Sequence, residues 1–395
     1  MKKHLPYRFR LLCLVLGALF LTSCKKPQEP AGPPLLENCG ILHEPEFGGV
    51  YIRQTIEEFN ALGFTYGDSV DIVFSNGYTL TDIPYYNGYY TQNGEPLLVA
   101  YPGYDYIKAA INNGEDLWEE AGLKASAGQG LWLSAQLKEG MTATVRLNSA
   151  GRYQAVQKAR DIHYEDERAR FDSDEAFANF RSLSGGRLRE NFLYRAASPC
   201  DNQHQRAPYV DALLARAEVE RVLDLADTDA KLEKYVSADG FSSPYWKSLY
   251  ERGGVLPIGL NMNYGSQDFK EKVAKGLAWL ADGEGPCLIH CTEGKDRTGF
   301  VCMLVEALAG AGWDEIERDY MLTYNNYYRI NREQDEERYD VIVENVLLPM
   351  VQSIVSDAAV NVRTADLAPY AERFLTDAGM EQETLERLLA HICKE

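Results

Sequence analysis

The residues with the strongest chemical signature lie in one run, Pro286-Cys287-Leu288-Ile289-His290-Cys291-Thr292-Glu293-Gly294-Lys295-Asp296-Arg297-Thr298-Gly299-Phe300. An apolar strand leads into Cys291, Arg297 follows on the same loop, and a helix is expected at once with Phe300, Val301, Met303, Leu304, Val305 and Leu308. Such a strand, loop and helix N-terminus form an anion cradle, because successive backbone N–H groups and the positive end of the helix face the loop centre. A phosphate dianion fits it, bordered by Thr292, Glu293, Gly294, Lys295, Asp296 and Arg297.

The same donors that hold phosphate favour a sulfur anion on Cys291. Arg297 can grip two equatorial oxygens with its planar fork, and the grip strengthens as charge spreads during transfer. The chemistry is in-line attack of sulfur on phosphorus, a phosphocysteine intermediate, then hydrolysis by water. It requires no metal and no other cofactor. Thr298 is placed to hydrogen-bond the departing sulfur, although a hydroxyl at a helix N-terminus also has an ordinary capping use. His290 is a supporting residue that could orient the loop, or a satisfied structural histidine. Lys295 adds a second positive charge, suited to substrates with more than one phosphate or an acidic neighbour; the alternative is an exposed lysine balancing Glu293 and Asp296. Cys287 and Cys302 read as small core residues.

The elements that must position this loop alternate along the chain. Strand-like runs at Leu193–Ala197, Arg221–Leu225, Val255–Gly259 and Cys287–His290 are separated by helical patterns near Tyr209–Ala217, Tyr245–Arg252, Phe269–Ala281 and Thr298–Ala309. That alternation predicts an α/β domain with a central, mostly parallel sheet flanked by helices, and after Trp313 a helical C-terminal extension. Before it, residues 39–150 read as a small β-rich domain, a sheet or barrel. Its strands are expected at Val70–Phe74, Leu97–Ala100, Leu131–Ala135 and Thr142–Leu147, with one helix near Arg53–Leu62. Asn76-Gly77, Asn87-Gly88 and Asn93-Gly94 mark turns, and Tyr85-Tyr86-Asn87-Gly88-Tyr89-Tyr90 reads as a hairpin. The tyrosine cluster packs on a sheet face or, less often, lines a glycan or peptide groove. Residues 151–178 form a charged connector whose run His163-Tyr164-Glu165-Asp166-Glu167-Arg168 reads as a linker or exposed helix.

Length and charge bound the rest. With 395 residues, two or three folded units are expected. The formal charge is −19, and without Lys2, Lys3, Arg8 and Arg10 the chain from Cys24 onward carries −23. A body that acidic repels nucleic-acid backbones and anionic membranes, so phosphate chemistry must be local. Those four basic residues precede an apolar run, Leu11–Leu21, too short to span a bilayer; residues 1–23 read as an export signal. Leu21-Thr22-Ser23-Cys24 resembles a bacterial lipobox, which implies that Cys24 is lipidated, that residues 24–38 are a Pro-rich tether, and that the protein is exported and held at a bacterial membrane by its lipid alone. Eight cysteines show neither CxxC spacing nor a metal pattern with the six histidines, and no pairing can be deduced.

The motif His-Cys-x-x-Gly-Lys-Asp-Arg-Thr-Gly, with eight specified positions, has a chance probability on the order of 10⁻⁸ per chain. This loop resembles that of the protein-tyrosine phosphatase superfamily, in the form found in a bacterial, often secreted branch active on phosphotyrosine and phosphoinositides. Asn179-Phe180-Arg181, Leu193-Tyr194-Arg195, Leu223-Asp224-Leu225, Asp319-Tyr320 and Asp377-Ala378-Gly379 are similar to short signatures of that branch, so residues 179–395 are expected to be the phosphatase-like domain. The resemblance implies a hydrolase of phosphorylated protein or phosphoinositide substrates, with Cys291 as nucleophile and Arg297 as phosphate clamp. Two departures stand out. Asp224-Leu225-Ala226 lacks the arginine usual in the branch, and Leu256-Pro257-Ile258-Gly259-Leu260-Asn261 lacks the aspartate usually placed there as general acid. Asp296 is the first replacement, as in myotubularin-like enzymes, followed by Asp227 and Asp229. Two other readings compete: a phosphate-binding pseudophosphatase or surface adhesion module, and a rhodanese-like sulfur-transfer loop. Arg297-Thr298-Gly299 opening the helix argues against the latter.

Overall fold

The structure, a computed structural model, describes residues 32–45, 48–123 and 141–394. The export segment, Cys24 and the strand expected at Leu131–Ala135 lie outside the described residues.

Apolar side chains alternate along Val70, Ile72 and Phe74, and again at Ala143 and Val145, and these are the residues buried inside the first domain. Its strands are β1 (Leu35–His43), β2 (Val50–Ile52), β3 (Ser69–Phe74), β4 (Thr79–Tyr86), β5 (Pro96–Val99), β6 (Ile107–Ile111) and β7 (Thr142–Ser149). They close into a barrel in the order β1-β2-β6-β5-β4-β3-β7, which leaves no free edge among them. The helix Ile56–Ala61 starts on a capping box made by Thr55 and Glu58 and sends Phe59 into the barrel, stacked on Phe64.

One expected turn is wrong. Asn87-Gly88 makes no hairpin: β4 stops at Tyr86, Tyr89 and Tyr90 lie outside the strands, and β5 pairs parallel to β4 through Tyr85–Leu98 and Tyr86–Val99. Tyr86 is buried among Leu97, Val99 and Ala110, with Tyr89, Tyr90 and Tyr153 packed against them. Packing of these rings overrides the local turn signal. The hairpin forms instead at Asn76-Gly77, where Gly77 has φ +92° and joins β3 to β4.

The second sheet contains β8 (Arg181–Ser182), β9 (Leu193–Ala196), β10 (Arg221–Asp224), β11 (Val255–Pro257) and β12 (Cys287–His290) in the order β11-β10-β12-β9-β8. All pairs are parallel except β8 with β9. Helices Ala207–Arg216, Pro244–Glu251 and Gln267–Ala281 lie in the connections between parallel strands, and the helix Asp296–Leu308 follows β12, the last strand. This last helix is apolar on all sides and buried from Thr298 to Leu308, because the helical C-terminal region closes over it.

Between the domains runs the helix Gln154–Arg160 and then the charged run 163–168. This run is tied down on one side. The Glu165 N–H donates to the Tyr327 carbonyl at 2.7 Å, and its carbonyl accepts from buried Arg206 at 2.8 Å. Asp166 pairs with His204.

Candidate active site

β12 is the central strand of the five-stranded sheet, and its C-terminal end opens into the loop Cys291–Lys295, where sheets of this kind present ligand sites. The helix begins at Asp296, earlier than Phe300, so Arg297 and Thr298 lie in its first turn.

The shape of the loop is set from outside. Gly294 has φ +67°, and a Cβ there would lie 2.0 Å from the Ala196 carbonyl oxygen, so no other residue fits. Arg195 donates to the Gly294 carbonyl at 2.6 Å, and Asn179 Nδ2 to that of Glu293 at 3.2 Å. The Ser198 N–H donates to the Thr292 carbonyl at 3.0 Å. With these carbonyls engaged behind the loop, its N–H groups are left for the concave side. Among the described residues, none of the N–H groups of Thr292, Glu293, Gly294, Lys295, Asp296 or Arg297 has an acceptor. A row of unpaired amides at a helix start is a built anion receptor.

The frame behind the loop consists of the short signatures seen in the sequence. Asp319 pairs with Arg195 and, at 2.6 Å, with Arg181 Nε; Arg181 also donates to Asn179 Oδ1 at 2.6 Å. Burial opposes charge on Asp319, but the two guanidinium groups outweigh it and lower its pKa. Tyr320 packs on Gly299, where a Cβ would come within 2.6 Å of its ring.

Cys291 is buried at the mouth of the loop. Arg297 donates from Nη1 to the Leu260 carbonyl at 3.2 Å and from Nη2 to Thr292 Oγ1 at 3.3 Å. The segment that lacks the usual aspartate therefore buttresses the arginine through its backbone. Thr298 is fully buried, and its hydroxyl has no partner among the described residues. His290 Nδ1 shares a hydrogen bond with the Cys291 carbonyl at 3.2 Å, while Nε2 stands 3.8 Å from Asp224 Oδ2. Burial pushes its pKa down to about 4, so it is a neutral positioning group at physiological pH.

Glu293 and Lys295 point away from the anion site. Lys295 Nζ contacts Glu293 at 2.9 Å and Tyr328 OH at 2.7 Å, and stands 3.8 Å from Asp296. It is largely covered and paired, so it is neither an exposed lysine nor a free second cation. Tyr164 and Tyr328 donate to the two oxygens of Glu293 at 2.7 and 2.9 Å, so a connector tyrosine is bound to the loop. Burial alone would raise the Glu293 pKa; Lys295 and the tyrosine hydroxyls override it and hold it at about 2, below the ordinary 4.5. A lowered folded-state pKa contributes stability above the ordinary value that is lost as pH falls. The stability difference between wild type and Glu293→Gln should therefore be full above pH 4.5 and vanish towards pH 2. Urea midpoints measured along that range check it.

Of the three acid candidates, Asp296 alone faces a cleft, one that runs between the barrel and the second domain. Asp227 is buried, with Lys231 Nζ at 2.6 Å, and Asp229 is exposed at the start of the helix Asp229–Ser237. Neither lines that cleft. Asp224 Oδ1 accepts from the N–H groups of Ala226 and Asp227, which closes the turn after β10 where the branch has arginine. Cys200, Asp224 and Asp227 offer buried ligand atoms within 4.8 Å of one another, but Lys231 already neutralises that group. The six described cysteines are unpaired.

Sequence reasoning missed Tyr164, Tyr328 and Arg160 as neighbours of the loop. Their contacts depend on how connector and C-terminal helices pack, for which no local spacing is a signal.

Residues 174–394 match a family described as "Tyrosine phosphatase family". The chain is also 31% identical over 122 residues to the triple specificity protein phosphatase PtpB of Mycobacterium tuberculosis, an alignment covering 28% of this chain and 44% of that protein. The chain thus matches less than half the length of that relative.

Proposed function

Because the chain belongs to the tyrosine phosphatase family, we propose that it is a cysteine-dependent phosphatase that hydrolyses phosphotyrosine, with phosphoinositide monoesters as a second substrate class. The observation that carries this reading is the ring of unpaired amides between Cys291 and Arg297. A phosphate seated there is held by six N–H groups and the Arg297 fork. Cys291 attacks phosphorus in line, the phosphocysteine forms as the ester oxygen leaves, and water then releases phosphate. Thr298, with its hydroxyl unspent, donates to the sulfur as it leaves in the second step. The protein named triple specificity phosphatase shares part of this chain's sequence, which supports a site tolerant of several phosphate esters.

The test is turnover of para-nitrophenyl phosphate by the full chain, blocked by vanadate and unaffected by chelator. Absence of turnover would sink the reading. Asp296 is the proton donor to the ester oxygen, since it lies at the helix start facing the cleft. A positioned acid contributes about 10²- to 10⁴-fold when the leaving group is poor. Asp296→Asn should lower kcat by about that factor on phenyl phosphate and far less on para-nitrophenyl phosphate. Equal losses on the two esters would reject the assignment.

A further inference from the structure

Building on the phosphatase reading, we propose that the cleft between barrel and phosphatase domain reads the residues flanking a phosphotyrosine, with Arg160 binding an acidic side chain beside it. The cleft has a volume of about 1170 Å³, larger than the roughly 300–1000 Å³ of ordinary small-molecule pockets and suited to a peptide. It meets the catalytic loop at Asp296, next to Arg297. Arg160 ends the helix between the two domains and lies outside the residues matched to the family. Its guanidinium lies 5.2 Å from the Tyr90 ring centre and has no hydrogen bond or ion pair among the described residues. Burial works against its charge, yet Tyr324, Asp296, Tyr320 and Tyr90 strengthen its hold on its proton. An unpaired guanidinium half-buried beside a catalytic loop is suited to a carboxylate of the substrate.

The rest of the lining favours peptide over a polyphosphorylated lipid headgroup. Its other cation, Lys108, is already bound to Glu44 at 2.6 Å, and Glu344 adds negative charge. A headgroup with several phosphates would need more free cations than one arginine supplies. The side-chain amides of Gln92 and Asn263, which have no hydrogen bond among the described residues, can each donate to and accept from a peptide backbone. On the barrel side Tyr89, Tyr101 and Tyr104 form a platform, with the Tyr89 and Tyr104 hydroxyls 3.0 Å apart and the Tyr101 and Tyr104 rings 5.4 Å apart. Amphipathic rings of this kind bind peptide side chains at small entropic cost. Asn93 also donates to the Met262 carbonyl at 3.1 Å, which bridges the platform to the segment that supports Arg297.

The experiment compares kcat/KM of the full chain on three phosphotyrosine peptides, with glutamate, alanine or lysine beside the phosphotyrosine, and on a soluble inositol bisphosphate. Wild type should favour the glutamate peptide over the alanine peptide by about tenfold. Arg160→Gln should bring that ratio close to one, and Arg160→Glu should shift preference to the lysine peptide, a reversal that a merely structural role would not produce. Tyr101→Ala, at an exposed position, should raise KM for all three peptides. The inference is overturned if wild type shows no flank preference, if the ratio survives Arg160→Gln, or if the inositol bisphosphate is the better substrate and is the one lost in Arg160→Gln. Turnover of para-nitrophenyl phosphate without flank preference rejects this inference alone. Absence of any turnover rejects the phosphatase reading beneath it.

Discussion

Cys291→Ser should lower kcat by about 10⁴-fold or more on every ester tested, and should leave the protein able to bind phosphate. A serine hydroxyl is a far weaker nucleophile than a cysteine sulfur and far harder to ionise, so the covalent route closes while the receptor stays. Loss of a nucleophile costs enzymes several orders of magnitude, and what survives reflects binding alone. The exchange removes little volume from a buried position at the end of β12. The amides of residues 292–297 and the guanidinium of Arg297 remain in place. The variant should therefore trap phosphotyrosine peptide with a Kd near the wild-type KM, measured by calorimetry. Residual turnover within tenfold of wild type would remove the phosphocysteine mechanism, and a variant that neither turns over nor binds would point to collapse of the loop.

The parts of this site that were legible in the sequence are those set by local geometry. Cys291, Gly294, Arg297 and Thr298 lie on one strand-loop-helix unit, and at Gly294 the conformation forces the residue type, as the 2.0 Å approach there shows. Asn179, Arg181, Arg195 and Asp319 were recognisable as short signatures, but their common task, holding the loop carbonyls, depends on β8, β9 and the helix Trp313–Tyr328 meeting in space. The parallel sheet followed from alternating strand and helix patterns. Closure of the barrel did not, because β1 pairs with β7 across more than a hundred residues and nothing local encodes that partnership. At Asn87-Gly88 the local turn signal failed outright, since burial of Tyr86 and its aromatic neighbours outweighs the modest preference of a dipeptide. Lys295 reads in the sequence as a second cation for substrate or as an exposed lysine balancing Glu293 and Asp296; its contact with Tyr328 and, through Glu293, with Tyr164 comes from distant segments and leaves no local signal.

Arg297→Lys should reduce kcat by about 10³-fold while KM rises much less. Charge is conserved, so electrostatic attraction of a phosphate dianion largely survives. What is lost is the planar fork, which meets two equatorial oxygens only as the phosphoryl group flattens in the transition state. Arginines that act in this way in phosphoryl transfer contribute about 10³ to 10⁵ in rate. The local structure adds a second loss. Arg297 is aimed by the Leu260 carbonyl at Nη1 and by Thr292 Oγ1 at Nη2. A single ammonium cannot keep both contacts and still present two donors to phosphate. The segment after β11 would then be released from the loop, and because Met262, Asn263, Tyr264 and Gly265 of that segment line the cleft, peptide substrates should suffer more than para-nitrophenyl phosphate. The discriminating measurement is kcat and KM for both substrates in the same variant. A rise in KM with kcat unchanged would mean that Arg297 binds the ground state only, and the clamp assigned to the transition state would have to be sought elsewhere in the loop.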